Sequence, residues 1–286
     1  MNPGGGDVTP GYGRAAAPTI AERKGVGSSS DYVFGDTDVA ARRLDLVAET
    51  WASPSAAFLR EDVRSRPRLA LDLGCGPGHT TRLVASTTGA AKTIGLDTSE
   101  AFIARARADA PEGVAFLHHD VMDLPFPTGR ANLVYGRFVL SHIPRPDRLV
   151  RAWMSQLELG GVLALDEVEW IRTDDPALRR YLTLLAAVLE ARGSSLAAGP
   201  IADKFDGGPG GRKRTSVVRT HPVPTALAAE LFALNFATWR DEPFVRDSHS
   251  RADLDQLDAE LHELARGQSR APITWGMRQT TFERGS

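Results

Sequence analysis

One stretch constrains this chain more than any other: RLALDLGCGPGHTT, residues 68–81. An apolar run of strand composition passes straight into Gly74, Gly76 and Gly78, and then into a helical pattern. Glycine allows a sharp turn and a close approach of backbone to a ligand. The helix that follows presents unpaired N–H groups and a partial positive charge. This predicts a small-molecule site at the carboxyl end of a strand, the usual place in an open α/β sheet. A Walker A loop would end in Gly-Lys-Ser/Thr; here Gly78 is followed by His79, Thr80 and Thr81, so a nucleoside triphosphate is not expected. The dinucleotide fingerprint needs its third glycine one position later, where this chain has His79.

Around this loop, short apolar runs alternate with longer amphipathic ones. Strands are expected at 69–73, 93–96, 114–117, 133–135 and 162–165, and helices at 80–86, 100–109 and 147–157. This spacing predicts a parallel sheet with helices on both faces. Pro54 should divide residues 36–63 into two helices. Asp175 and Pro176 read as a helix N-cap and first turn, with Gly193 ending that helix. Residues 206–214, Gly-rich and basic, read as an exposed loop. Strands at 216–220 and 273–282 and helices at 225–239, capped by Thr225, and 254–264 complete the pattern. The expected fold class is therefore α/β: a Rossmann-like, mostly parallel seven-stranded sheet with helices on both faces, plus helical lid segments. The expected division is a flexible tail over 1–30, a helical cap over 31–64, a core over 65–223, a helical lid insertion over 224–270, and a final strand and tail over 271–286.

The Gly-x-Gly-x-Gly loop preceded by Asp72 resembles that of the class I S-adenosylmethionine-dependent methyltransferases, and further matches follow in order. TIGLDTS, 93–99, places Asp97 at the end of the second strand. VAFLHHDVMDLPF, 114–126, places Asp120 after the third. ANLVYGRFVLSHIP, 131–144, and LELGGVLALDEVEW, 157–170, look like the fourth and fifth strands. The resemblance covers about residues 70–170. It implies S-adenosyl-L-methionine as cofactor, with Gly74, Gly76 and Gly78 in the loop and Asp97 on the ribose hydroxyls. It also implies Asp120 on the adenine amine with the Val121 N–H on the ring, and Asp72 and the Arg137 carbonyl at the amino-acid end. Read from the residues alone, Asp97 could instead cap a helix and Asp120 could belong to a turn. Cys75 reads as a small residue packed behind the loop.

Methyl transfer is an in-line displacement in which the protein mainly positions the reactants. His142 sits after the fourth strand and is the candidate general base, because an unperturbed imidazole titrates near neutrality; a structural histidine is the alternative. Glu167, Trp170, Phe236 and Trp239 are the candidate acceptor-site residues. Glu167 and Glu169 could instead be solvated carboxylates, and the two apolar stripes of 225–239 could instead mark a buried core helix. Tyr32 could close over the cofactor, and Arg212, Lys213 and Arg214 could meet an anion or form a solvated turn. His118, His119, Asp120 and His142 invite a metal reading, but successive strand residues point to opposite faces, so no metal is expected.

The 34 Lys plus Arg against 36 Asp plus Glu give a net charge of -2, unlike the strongly basic face of a nucleic-acid binder. Tyr-Gly-Arg-Phe, 135–138, also lacks the Pro-Pro-aromatic motif of base amino-methyltransferases. One cysteine excludes a disulfide framework within the chain. No apolar run reaches the ~20 residues of a membrane span, and no secretory signal is visible. The expectation is a cytoplasmic methyltransferase acting on a small-molecule acceptor, with no nucleic acid and no membrane; whether it pairs as a homodimer is open. The alternative is a protein of the same fold that binds the cofactor without methylating.

Overall fold

The computed structural model describes residues 38–63, 66–144, 146–267 and 273–285. The tail over 1–30 and Tyr32 lie outside the described residues. Seven strands form one sheet: β1 (Leu69–Leu73), β2 (Lys92–Asp97), β3 (Val114–His118), β4 (Ala131–Arg137), β5 (Leu157–Thr173), β6 (Gly211–Val223) and β7 (Ile273–Arg284). Their order is β3-β2-β1-β4-β5-β7-β6. The pairs among β1 to β5 are parallel, and β7 runs antiparallel to both β5 and β6. The expected mostly parallel seven-stranded sheet is what forms.

Helices cover both faces. On one, Phe58 and Leu59 of α1 (Asp38–Asp62) and Val84 of α2 (His79–Thr88) pack against Ala70, Leu133 and Ala164. On the other, Val150 and Trp153 of α4 (Pro146–Met154) and Ala202 of α6 (Gly199–Lys204) pack against Leu71, Val134 and Leu163. Residues one apart on a strand thus enter different cores, as strand alternation requires. α3 (Glu100–Ala108) follows β2 and covers β3. A third core joins Trp51 to α5 (Pro176–Ala191), α7 (Thr225–Trp239) and α9 (Arg251–Ala265), with the short α8 (Pro243–Ser248) between the last two.

Several local expectations change. Pro54 does not divide the first helix: α1 is continuous over 25 residues. A proline inside a helix costs about 3 kcal/mol. Packing on both sides of it, through Trp51 before and Phe58 and Leu59 after, holds the helix together. The 206–214 loop is shorter than expected, because Gly211 already begins β6. Arg212 and Arg214 pair with Glu283 on the neighbouring strand and Lys213 pairs with Asp203, so the basic run is committed to the sheet edge. Pro224, not Thr225, is the N-cap of α7. Asp175 caps α5 as expected, accepting from Ala177 N and Leu178 N.

Candidate functional site

The sheet order reverses between β1 and β4, the switch point at which open α/β sheets bind ligands. A cavity of about 1010 Å³ opens there. That volume stands at the top of the range of about 300 to 1,000 Å³ usual for ligand pockets. The loops after β1, β2, β3 and β4 all contribute to its wall, and α1 crosses above them.

Gly74, Gly76 and Gly78 all have positive φ, at 65°, 51° and 89°. Gly74 and Gly76 line the cavity. A side chain on Gly74 would press on Val139 of the loop after β4, and one on Gly76 on Leu44 of α1. Gly78 sits behind them as N-cap of α2, and a Cβ there would lie 2.6 Å from the Phe116 ring. Its role is therefore turn geometry and close packing. His79, the residue that departs from the dinucleotide pattern, bonds Asp45 of α1 at 2.8 Å and ties α1 to the loop.

Asp97 lines the cavity and accepts from Gly76 N and Ser99 N, each at 2.8 Å. Burial raises its pKa while these backbone donors oppose the rise. It does not cap α3; Ser99 does, accepting from Phe102 N. Asp120 lines the cavity and also accepts from Met122 N at 2.8 Å, so it serves its turn as well. Val121 beside it is fixed by Trp153 Nε1, which donates to its carbonyl at 2.9 Å. Arg137 lines the cavity too, its guanidinium donating to Ser55 Oγ and Thr80 Oγ1. Asp72 lies beneath the loop, outside the cavity wall. It accepts from Thr81 Oγ1 at 2.7 Å, and burial pushes its pKa up to about 7, although Arg137 pulls the other way. Cys75 is buried and its thiol pKa is raised by burial, in keeping with a packing role.

His142 is on the wall, in the turn Leu140–His142 after β4. The premise of the base assignment does not hold: burial, with the charges of Arg43 and Arg192, lowers its pKa to about 3. A ring so reluctant to take a proton is a poor base near neutrality. Glu167, expected at the acceptor site, does not line the cavity. It is fully buried, and its Oε1 accepts from both Val139 N (2.9 Å) and Leu140 N (3.0 Å). Burial raises its pKa to about 8. It therefore clamps the loop that carries His142. That loop begins at Phe138, a non-glycine residue at φ 57° whose ring meets Trp51 edge-on at 5.7 Å on the cavity wall.

Trp170 lies off the cavity, stacked under the Arg172 guanidinium and over Gly276. Phe236 and Trp239 are also off it, fully buried around Tyr181. The stripe of α7 that reaches the cavity is Leu231, Phe232, Asn235 and Thr238. Glu169 is held bidentate by Arg278. His118 and His119 bond the separate carbonyls of Thr98 and Asp123, and among the described residues no group of three or more His, Cys, Asp or Glu could hold a metal. Nothing in the local sequence marks Arg43. Its buried place on the wall follows from how α1 crosses the loops, which no local pattern announces.

Residues 70–161 match the family described as "Methyltransferase domain". The fold is that of the class I S-adenosylmethionine-dependent methyltransferases. A trans-aconitate 2-methyltransferase of Methylobacterium radiotolerans is 40% identical over 112 residues, covering 39% of this chain and 42% of that protein. A second, from Acidovorax sp., is 36% identical over 47% of this chain and 51% of its own length. The chain thus spans about half the length of the curated relatives it matches. Among solved structures, coclaurine N-methyltransferase bound to N-methylheliamine and SAH superposes with a TM-score of 0.51 at 12% identity, covering 81% of this chain and 72% of that one. This methyltransferase fold also matches the [4+2]-cyclase SpnF, with a TM-score of 0.50 at 19% identity over 82% and 81%. Similarity at that level is a likeness of fold alone.

Proposed function

We propose that this chain binds S-adenosyl-L-methionine at the carboxyl edge of β1 to β4 and transfers its methyl group to a small-molecule acceptor. One observation carries the reading: Gly74 and Gly76 of the glycine turn, Asp97, Asp120 and Arg137 line the same cavity, which continues between α1, α5 and α7. The donor set suits the cofactor, with a carboxylate at each of two loops for its hydroxyl and amine groups and glycine backbone between them. Bound there, the cofactor would supply an electrophilic methyl group on a sulfonium.

The residues of the chain would then bind and orient. Asp97 would accept from the ribose hydroxyls while keeping Gly76 in place. Asp120 and Val121 would meet the adenine, held from behind by Trp153. Arg137, with Asp72 beneath, would meet the amino-acid end. Glu167 would hold the loop after β4 so that Phe138 and His142 face the acceptor, and alignment would contribute most of the rate. His142, neutral through the physiological range, would orient the acceptor rather than take its proton. The near-neutral net charge supports a small acceptor over nucleic acid. Among the described residues no helix is long and apolar enough to cross a membrane, and we read the site of action as the cytoplasm.

A non-methylating role is the second reading, and the match of 70–161 to methyltransferase domains favours transfer over it. The test is a radiolabelled-methyl assay across a library of small acceptors. Label appearing in an acceptor is the expected result; cofactor binding with no acceptor labelled would favour the second reading.

A further inference from the structure

Beyond the cofactor loops, the cavity continues into a chamber walled by α1, α5, α7, β5 and β7. Trp51, Ile171, Leu185, Leu231, Phe232 and Trp275 give it an apolar lining. Few polar groups interrupt that lining. Arg43 of α1 and Asn235 of α7 are only 5% and 6% exposed, and both line the cavity with His142. The charge of Arg43 is felt at His142 and at Tyr181, and that of Arg192 at His142. Arg192 is held by Glu242, which also lines the cavity. Arg43 thus brings a guanidinium into an otherwise largely apolar chamber, on the same wall as a histidine that stays neutral.

We propose that the acceptor is an amphipathic organic acid, with one carboxylate seated against Arg43, His142 and Asn235 and an apolar body lying on the Trp51, Leu231 and Phe232 side. The proposal rests on the cofactor reading above and narrows its acceptor. A guanidinium out of water gives a carboxylate a strong, charge-assisted partner, and aromatic and aliphatic walls reward an apolar body. A tricarboxylate such as trans-aconitate would set two more charges against apolar walls, and unpaired buried charge is costly. Most of those walls come from elements outside residues 70–161, the stretch matched to methyltransferase domains.

The test is titration calorimetry on the full chain loaded with S-adenosylhomocysteine. The probes are 4-phenylbutanoate, decanoate, 4-phenylbutanamide and trans-aconitate. Expected is binding of at least one apolar acid roughly 10-fold or more tighter than the neutral amide and than trans-aconitate. Arg43→Gln should abolish the preference for acid over amide, and Arg43→Lys should keep most of it. Both variants should bind S-adenosylhomocysteine as the native protein does, which shows that they are folded. Equal binding of acid and amide, binding of trans-aconitate as tight as that of the apolar acids, no binding of either acid, or an Arg43→Gln variant with its preference intact would overturn the proposal. Any of these results with S-adenosylhomocysteine still bound defeats the acceptor assignment alone. Absence of S-adenosylhomocysteine binding defeats the cofactor reading and this proposal together.

Discussion

Asp97 accepts from two backbone donors while lining the cavity, so its removal should cost both ligand contacts and loop order. Hydrogen bonds to a charged group contribute about 1.5–3 kcal/mol each. Asp97→Ala should therefore weaken cofactor binding on the order of 100-fold or more by calorimetry; unchanged affinity would remove Asp97 from the site. Glu167 makes a pH prediction. Its carboxyl titrates at about 8 in the fold against an ordinary 4.5, so the folded chain holds a proton that the unfolded chain releases. Its contribution to stability is complete below pH 4.5 and is lost as pH rises towards about 8. Thermal melts of Glu167→Gln, which cannot ionise, should decline less with pH over that window; an identical decline would contradict the assignment. For His142 the sign is opposite. With its pKa lowered to about 3, the ring is neutral through the neutral range. His142→Gln should then leave the shape of the pH–rate profile unchanged there, whatever happens to the rate. A limb near pH 6.5 that vanishes in the variant would restore His142 as a base.

At the scale of elements, α7 shows why composition alone does not tell which residues of a helix line a cavity. Its two apolar stripes are plain in the sequence, but a helix buried on several sides gives no sign of which stripe faces a cavity. Phe236 and Trp239 pack on Tyr181 of α5, and Leu231, Phe232 and Asn235 face the chamber. Phe236→Ala should cost about 3–5 kcal/mol of stability, as large-to-small core changes do. Leu231→Ala should cost well under that and act chiefly on acceptor affinity. Denaturant unfolding alongside acceptor titration separates the two, and a reversed order would exchange the roles of the stripes. α1 teaches the same lesson from the other side. Pro54 is a sound breaker by local rules, yet the packing of Trp51, Phe58 and Leu59 overrides it. The same continuous helix brings Leu44 and Asp45 to the glycine turn and Arg43 to the cavity wall.

At the scale of the molecule, the reversal of strand order between β1 and β4 gathers loops far apart in the chain around one cavity. Ligand that binds only the folded chain stabilises it by mass action, by about 2.7 kcal/mol at 100 times its Kd. S-adenosylhomocysteine should accordingly raise the Tm by about 5–10 °C for a domain near this size. Asp97→Ala should show little of that rise at the same concentration. If NAD raised the Tm and S-adenosylhomocysteine did not, the cofactor reading would fall.

By itself the sequence determined the parallel core, the glycine turn and the places of Asp97 and Asp120. Strand alternation, turn chemistry and the position of a residue at a strand end are local properties that neighbouring residues fix. The tertiary structure decided the rest: Glu167 faces inward to clamp a loop, His142 loses its affinity for protons, and Arg43 lines a chamber. Burial and the approach of distant charges set those outcomes. Both depend on how helices far apart in the chain come to lie against one another, which no short stretch of sequence encodes.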